Sequence, residues 1–147
     1  MPIPAVSHYM QKQPITIERT ASLAEAHRVM RQYQIRHLPV LEGGNLVGVV
    51  TQRDLNLLAS VSEADIENSK VDKAMTEHPF IVTSDAALDE VLDIMADHKY
   101  GSVIVMGRAG VEGIFTAADA CRVFAEMLRD QAGMSAEPHE ASRPRPS

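Results

Sequence analysis

The chain contains one cysteine, Cys121, no tryptophan, three phenylalanines and three tyrosines. A single cysteine excludes an intrachain disulfide. So few aromatics mean an aliphatic core, drawn from Val, Ile, Leu, Met and Ala. No stretch reaches the ~18 consecutive apolar residues of a membrane span. No basic stretch followed by an apolar one opens the chain, so no secretion signal is read, and a cytoplasmic, non-membrane protein is expected. Lysine and arginine form no run and the formal net charge is −6. General binding to a nucleic-acid backbone needs a clustered positive surface and is therefore excluded. Two or three local cations could still hold a small anionic ligand.

Chemical signatures are also missing. There is no Gly-x-x-x-x-Gly-Lys phosphate loop and no Gly-x-Gly-x-x-Gly. The six histidines show no paired metal-ligand spacing. Cys121 lacks a Cys-x-x-Cys partner and falls within a predicted helix, so it reads as structural. No nucleophile, base and metal set converges, so no enzyme is expected and no catalytic residue is assigned.

What is present is a repeat. Val6 and Met10 return 65 residues later as Val71 and Met75, Pro14 as Pro79, Leu23 as Leu88, Met30 as Met95 and Val40 as Val105. Gly48-Val-Val-Thr-Gln-Arg-Asp54 returns as Gly113-Ile-Phe-Thr-Ala-Ala-Asp119. The alignment from Val6 to Asp54 needs no gap, and eleven of its 49 positions are identical. Two like units of this size must bury their cores together. Packing about a pseudo-twofold axis would leave two related clefts, each walled by both units.

Each unit reads as extended–helix–strand–strand–helix. In the first, Ile15–Ile17 is extended, residues 21–34 form a helix with Ser22 and Glu25 as a capping box, and His37–Leu41 and Leu46–Val50 form a hairpin across Gly43-Gly44. A second helix runs from near Thr51 to Ala59. In the second unit, Phe80–Thr83 is extended, residues 86–98 are helical, Ser102–Met106 and Val111–Phe115 form a hairpin, and the last helix runs from Thr116 to Arg129. Residues 6–59 and 71–130 are thus the expected units, each a three-stranded sheet with two helices on one face. Residues 60–70 are the linker, and 131–147 a polar tail expected to be disordered. Met30, Met95 and Met127 have core-like helical spacing.

This order, its duplication and the Gly-x-x-Thr-x-x-Asp that closes each unit resemble the CBS domain family, named after cystathionine β-synthase. Met10 and Met75 before the proline-led strands, Ile35-Arg-His-Leu-Pro-Val40 and Leu46-Val-Gly48 carry the likeness further, and the tandem arrangement resembles a Bateman module. The resemblance implies an α/β fold of two tandem β-α-β-β-α units and regulatory binding of an adenine nucleotide. The expected ligand is AMP, ADP or ATP, with S-adenosylmethionine and NAD as further candidates. It also implies a homodimer, in which Leu23, Met30, Leu88, Val91 and Met95 would meet a second chain, and an unidentified regulated protein. The rival reading is a ligand-free dimeric interaction scaffold.

Candidate ligand contacts follow. Thr51/Asp54 and Thr116/Asp119 stand where a strand passes into a helix. There a carboxylate can accept from both ribose hydroxyls, although the same spacing also makes a helix capping box. The resemblance assigns the base edge to the backbone of Ile15, Thr16 and Ile17 and of Phe80, Ile81 and Val82, whose side chains could equally be core. Arg36, His37 and Arg53 are the candidates to hold a phosphate. Their counterparts Gly101, Ser102 and Ala118 are uncharged, so the two sites should differ in affinity.

Overall fold

The computed structural model describes residues 2–61 and 66–133. The expected tail, apart from residues 131–133, and linker residues 62–65 lie outside the described residues.

The first unit runs β1 (Gln11–Lys12), β2 (Ile17–Glu18), α1 (Leu23–Tyr33), β3 (His37–Glu42), β4 (Asn45–Thr51) and α2 (Gln52–Val61). The second runs β5 (Thr76–Glu77), β6 (Ile81–Val82), α3 (Leu88–His98), β7 (Ser102–Gly107), β8 (Gly110–Thr116) and α4 (Ala117–Gln131). Local chemistry explains the boundaries. Ser22 caps α1 by accepting from the Glu25 N–H at 3.0 Å. Only half of the expected capping box forms there, because the Glu25 carboxylate pairs with Arg28 instead. The β3–β4 hairpin turns on Gly43 and Gly44, both at positive φ, as a two-residue primed turn requires.

The sheets are not the three-stranded ones expected. Each has four strands, in the orders β2-β3-β4-β5 and β6-β7-β8-β1. β1 therefore belongs to the second unit's sheet, pairing antiparallel with β8, and β5 to the first, pairing antiparallel with β4. Each lead-in crosses over to the other unit.

The residues just before each lead-in strand cross with it. Val6 is fully buried among Leu88, Val91, Val103 and Phe115, and Val71 is fully buried among Leu23, Leu38, Val40 and Leu55. The first helical N–H groups have no partner within their own helix. The crossing segments supply acceptors: the Leu23 N–H donates to the Ser69 carbonyl at 2.9 Å, and the Leu88 N–H to the Pro4 carbonyl at 2.9 Å. Two glycines make room for the strands. A Cβ on Gly48 would stand 2.7 Å from the Thr76 carbonyl oxygen, and one on Gly113 would collide with the Met10 sulfur. The recurrence of both Met10/Met75 and Gly48/Gly113 thus records a single contact made twice.

A third apolar cluster joins the two sheets, with Val49, Ile104 and Ile114 buried and Leu46, Met106 and Val111 at its margin. Val49 and Ile114 are repeat equivalents, so the two β-α-β-β-α units meet about the expected pseudo-twofold axis.

Several side-chain expectations need correcting. Leu23, Met30, Leu88, Val91 and Met95 are all buried within this chain's own cores and cannot meet a second chain. Met127 is 47% exposed rather than core, and with Phe124 and Leu128 it forms an apolar stretch on α4. Cys121 is exposed on the same helix and has no place in the core. Among the described residues no helix is long and apolar enough to cross a membrane.

Candidate functional site

Because each lead-in crosses over, each inter-unit cleft is walled by the end of one unit's first helix, the other unit's hairpin and a crossing segment. The larger cleft holds a cavity of about 470 Å³ lined by Gln34, Ile35, Arg36 and His37 from the first unit and Ile114, Thr116, Ala117, Ala118 and Arg122 from the second, with Gln11 from β1. It continues into a second cavity of about 200 Å³ against Pro14, Ile15 and Tyr33, with Gln11, Ile35, His37 and Ile114 shared between the two. The smaller cleft, about 220 Å³, is lined by repeat equivalents: Thr76, His78, Pro79, Phe80, Lys99, Tyr100, Gly101 and Ser102 against Val49 and Thr51.

Among the described residues four non-glycine residues have positive φ: Gln13, Gln34, His78 and Lys99. They are two repeat pairs, and every one lines a cleft. Gln34 and Lys99 end α1 and α3 in the left-handed conformation. Such backbone is sparsely populated and clusters where geometry serves a site.

The two Thr-x-x-Asp elements are both helix caps. The Asp54 N–H donates to Thr51 Oγ1 at 3.0 Å, and the Thr51 N–H donates to Asp54 Oδ2 at 3.2 Å. The Asp119 N–H likewise donates to Thr116 Oγ1 at 3.2 Å, and the Thr116 N–H to Asp119 Oδ2 at 2.9 Å. Capping does not exhaust Asp119. Its oxygens also accept from the Gln11 amide at 2.9 and 3.2 Å, from Arg122 Nη1 at 3.0 Å and from the Thr116 hydroxyl at 3.0 Å. Asp119 is buried and rimmed by two residues of the cavity wall, Gln11 and Arg122.

The cations sort unequally. Arg36 and His37 line the large cleft, together with Arg122, which no sequence motif marks. Arg53 is exposed on α2 and lines none of the three cavities, whereas its counterpart Ala118 lines the largest. His37 faces both clefts, and its Nε2 fills the space beside Gly101, 3.1 Å from where a Cβ would stand. Burial holds the imidazole below its ordinary value; Asp54 raises it, Arg36 lowers it and Asp119 raises it.

The extended segments divide between cleft and core. Ile15 and Phe80 line cavities, while Ile17 is buried under α1 and Val82 packs on the second core. Thr16 lines none of the three cavities, and Ile81 is 47% exposed. Phe80 stacks obliquely on Tyr100, ring centres 5.4 Å apart, and Tyr100 on His98 at 5.2 Å, giving the smaller cleft an aromatic wall where the larger has Ile15 and Ile35. Among the described residues no group of three or more His, Cys, Asp or Glu could hold a metal ion.

Two repeated β-α-β-β-α units, joined sheet to sheet with exchanged lead-ins and two related clefts, define a tandem α/β cleft module. The model of the CBS domain matches residues 6–59 and again residues 69–126. The chain belongs to the CBS domain family. The uncharacterized protein YlbB of Bacillus subtilis is 35% identical over 111 residues, covering 74% of this chain and 73% of the relative. Among solved structures, the Vibrio cholerae protein AcuB superposes with a TM-score of 0.78 at 30% identity, over 93% of this chain and all of that one. The CBS domain pair of protein MJ0100, solved in complex with 5′-methylthioadenosine and S-adenosyl-L-methionine, gives a TM-score of 0.76 at 28% identity, over 84% of this chain and 98% of that chain.

Proposed function

We propose that this chain is a regulatory module, without catalytic activity, that binds an adenine nucleotide or adenosyl compound between its units and signals through their relative arrangement. The observation that carries this reading is the large cleft. An apolar recess at Pro14, Ile15, Ile35 and Ile114 opens onto Arg36, His37 and Arg122, with the Asp119 carboxylate behind. Its volume, about 470 Å³, lies within the range of small-molecule sites. A base suits the recess, a ribose diol suits Asp119, and a phosphate suits the cations. The adenosyl ligands of the MJ0100 pair support the same ligand class. In the smaller cleft Thr51 and Phe80 line the equivalent place, with Asp54 held against Thr51 in the helix cap.

Binding would shift the population of unit arrangements only through differential affinity for them. A panel of AMP, ADP, ATP, S-adenosylmethionine, NAD and guanine counterparts tests the reading by thermal shift. Ligand bound to the native state alone stabilises it by about RT ln(1 + [L]/Kd). A shift confined to adenine compounds supports the module, and none at millimolar ligand opposes it.

Phe124, Met127 and Leu128, exposed on α4, favour a second reading in which the chain is a ligand-free dimeric scaffold. The sensor is also read as a homodimer, so a light-scattering mass tests dimerisation while the ligand panel separates the two readings.

A further inference from the structure

The carboxylate of Asp119 is occupied before any ligand arrives. Oδ1 accepts from Gln11 and Arg122, and Oδ2 from the Thr116 N–H, the Thr116 hydroxyl and Gln11. A carboxylate has about four lone-pair sites. A ribose diol must therefore displace a present donor. The Thr116 N–H belongs to the helix cap, and Gln11, whose backbone pairs in β1 with β8, is a neutral donor; Arg122 is the one charged donor and stands at the rim. Its side chain is 66% exposed, against 10% for Asp119. It is the partner that a ligand anion can draw away, because it alone of the four donors carries a charge.

A departing guanidinium leaves its carboxylate partner, and at this rim it stands beside Arg36 and His37. A phosphate would give it a new anion, and arginine meets phosphate with paired N–H donors. A neutral nucleoside offers no such exchange, and a sulfonium adds positive charge. The smaller cleft lacks this device: the counterpart of Arg122 is Leu57 and that of Gln11 is Thr76.

We propose that Arg122 is the specificity-determining residue of the Asp119 cleft, exchanging the carboxylate for a ligand phosphate, so that this cleft takes a phosphorylated nucleoside and rejects neutral or cationic adenosyl compounds. The inference rests on the adenine-binding reading above and adds its ligand class.

Calorimetric titration of the full chain with adenosine, 5′-methylthioadenosine and AMP tests it. In the unmodified protein AMP binds the Asp119 cleft at least about tenfold more tightly than adenosine, the scale of one charge-assisted contact. In Arg122→Leu, AMP weakens and adenosine tightens, so the ratio collapses towards unity. Arg122→Lys, which keeps the charge, retains part of the preference. Arg31→Leu, an equal change of net charge on exposed α1 surface, leaves it intact. Circular dichroism melts establish that each variant is folded. Equal affinity for adenosine and AMP, or an unchanged ratio in Arg122→Leu, overturns the inference while leaving the adenine-binding reading standing. Absence of binding by every adenine compound overturns both.

Discussion

The side-chain amide of Gln11 donates to both oxygens of the Asp119 carboxylate, at 3.2 and 2.9 Å, across 108 residues of sequence. It ties the first unit's lead-in to the first turn of the second unit's last helix, at the back of the larger cleft. Fold and site therefore share an atom group: whatever binds Asp119 also acts on the tie between units. Gln11→Ala removes a charge-assisted donor, and hydrogen bonds to charged groups contribute roughly 1.5–3 kcal/mol. Urea unfolding should show a loss near the lower end of that range, since the site is only partly buried. In a double-mutant cycle with Asp119→Ala the effect should fail to add.

The exchanged lead-ins make the second core depend on the first residues of the chain. Val6 is fully buried in the core formed around Phe115. Val6→Ala should cost about 2 kcal/mol through lost burial and the cavity left behind. The repeat-related Val71→Ala should cost the first core a similar amount, both measured by equilibrium unfolding.

Gly48→Ala places a methyl group 2.7 Å from the Thr76 carbonyl oxygen, which is backbone and held in β5. Overpacking of this kind costs about 1–3 kcal/mol. The methyl in Gly113→Ala meets the Met10 sulfur, the end of a flexible side chain, as well as the Gln11 carbonyl oxygen at 3.0 Å. The Gly48 variant should have the lower melting temperature of the two.

His37 gives the stability a pH dependence. Burial, opposed by Asp54, aided by Arg36 and opposed by Asp119, holds its folded pKa below 6.5. As pH falls through 6.5 the unfolded imidazole takes up its proton before the folded one does. This residue's contribution is therefore intact above that value and is lost on acidification through the folded pKa. Urea midpoints at about pH 7.5 and about pH 5.5 should differ less in His37→Gln than in the unmodified protein.

Much of this was legible in the sequence, for identifiable reasons. Helices α1, α3 and α4 and both hairpins carry strong periodicity, caps or turn glycines, and the ungapped repeat required two like units. The exchange of lead-ins was not legible, because Gln11–Lys12 and Thr76–Glu77 are two-residue strands with no periodicity. One signal did exist: Met10 and Gly113 recur as Met75 and Gly48, the two sides of one contact. Thr116, marked by its repeated motif, and Arg36 and His37, marked by charge, line the largest of the three cavities. Arg122 was missed because its counterpart is Leu57, so the repeat did not mark it; its spacing of three from Asp119 on a helix was the available clue. Arg53 drew attention by adjacency to Asp54, yet it is exposed on α2 and away from the three cavities.

In the proposed function, adenine nucleotides bind between the units through the Thr-x-x-Asp carboxylates. Calorimetric titration of AMP into the unmodified chain, Asp54→Asn and Asp119→Asn is the decisive experiment. Saturable binding to the unmodified protein is expected, with a loss of about tenfold or more in affinity at the larger cleft in Asp119→Asn and the fold retained. Unchanged affinity in both variants, or no binding to the unmodified chain, rules this mode of binding out.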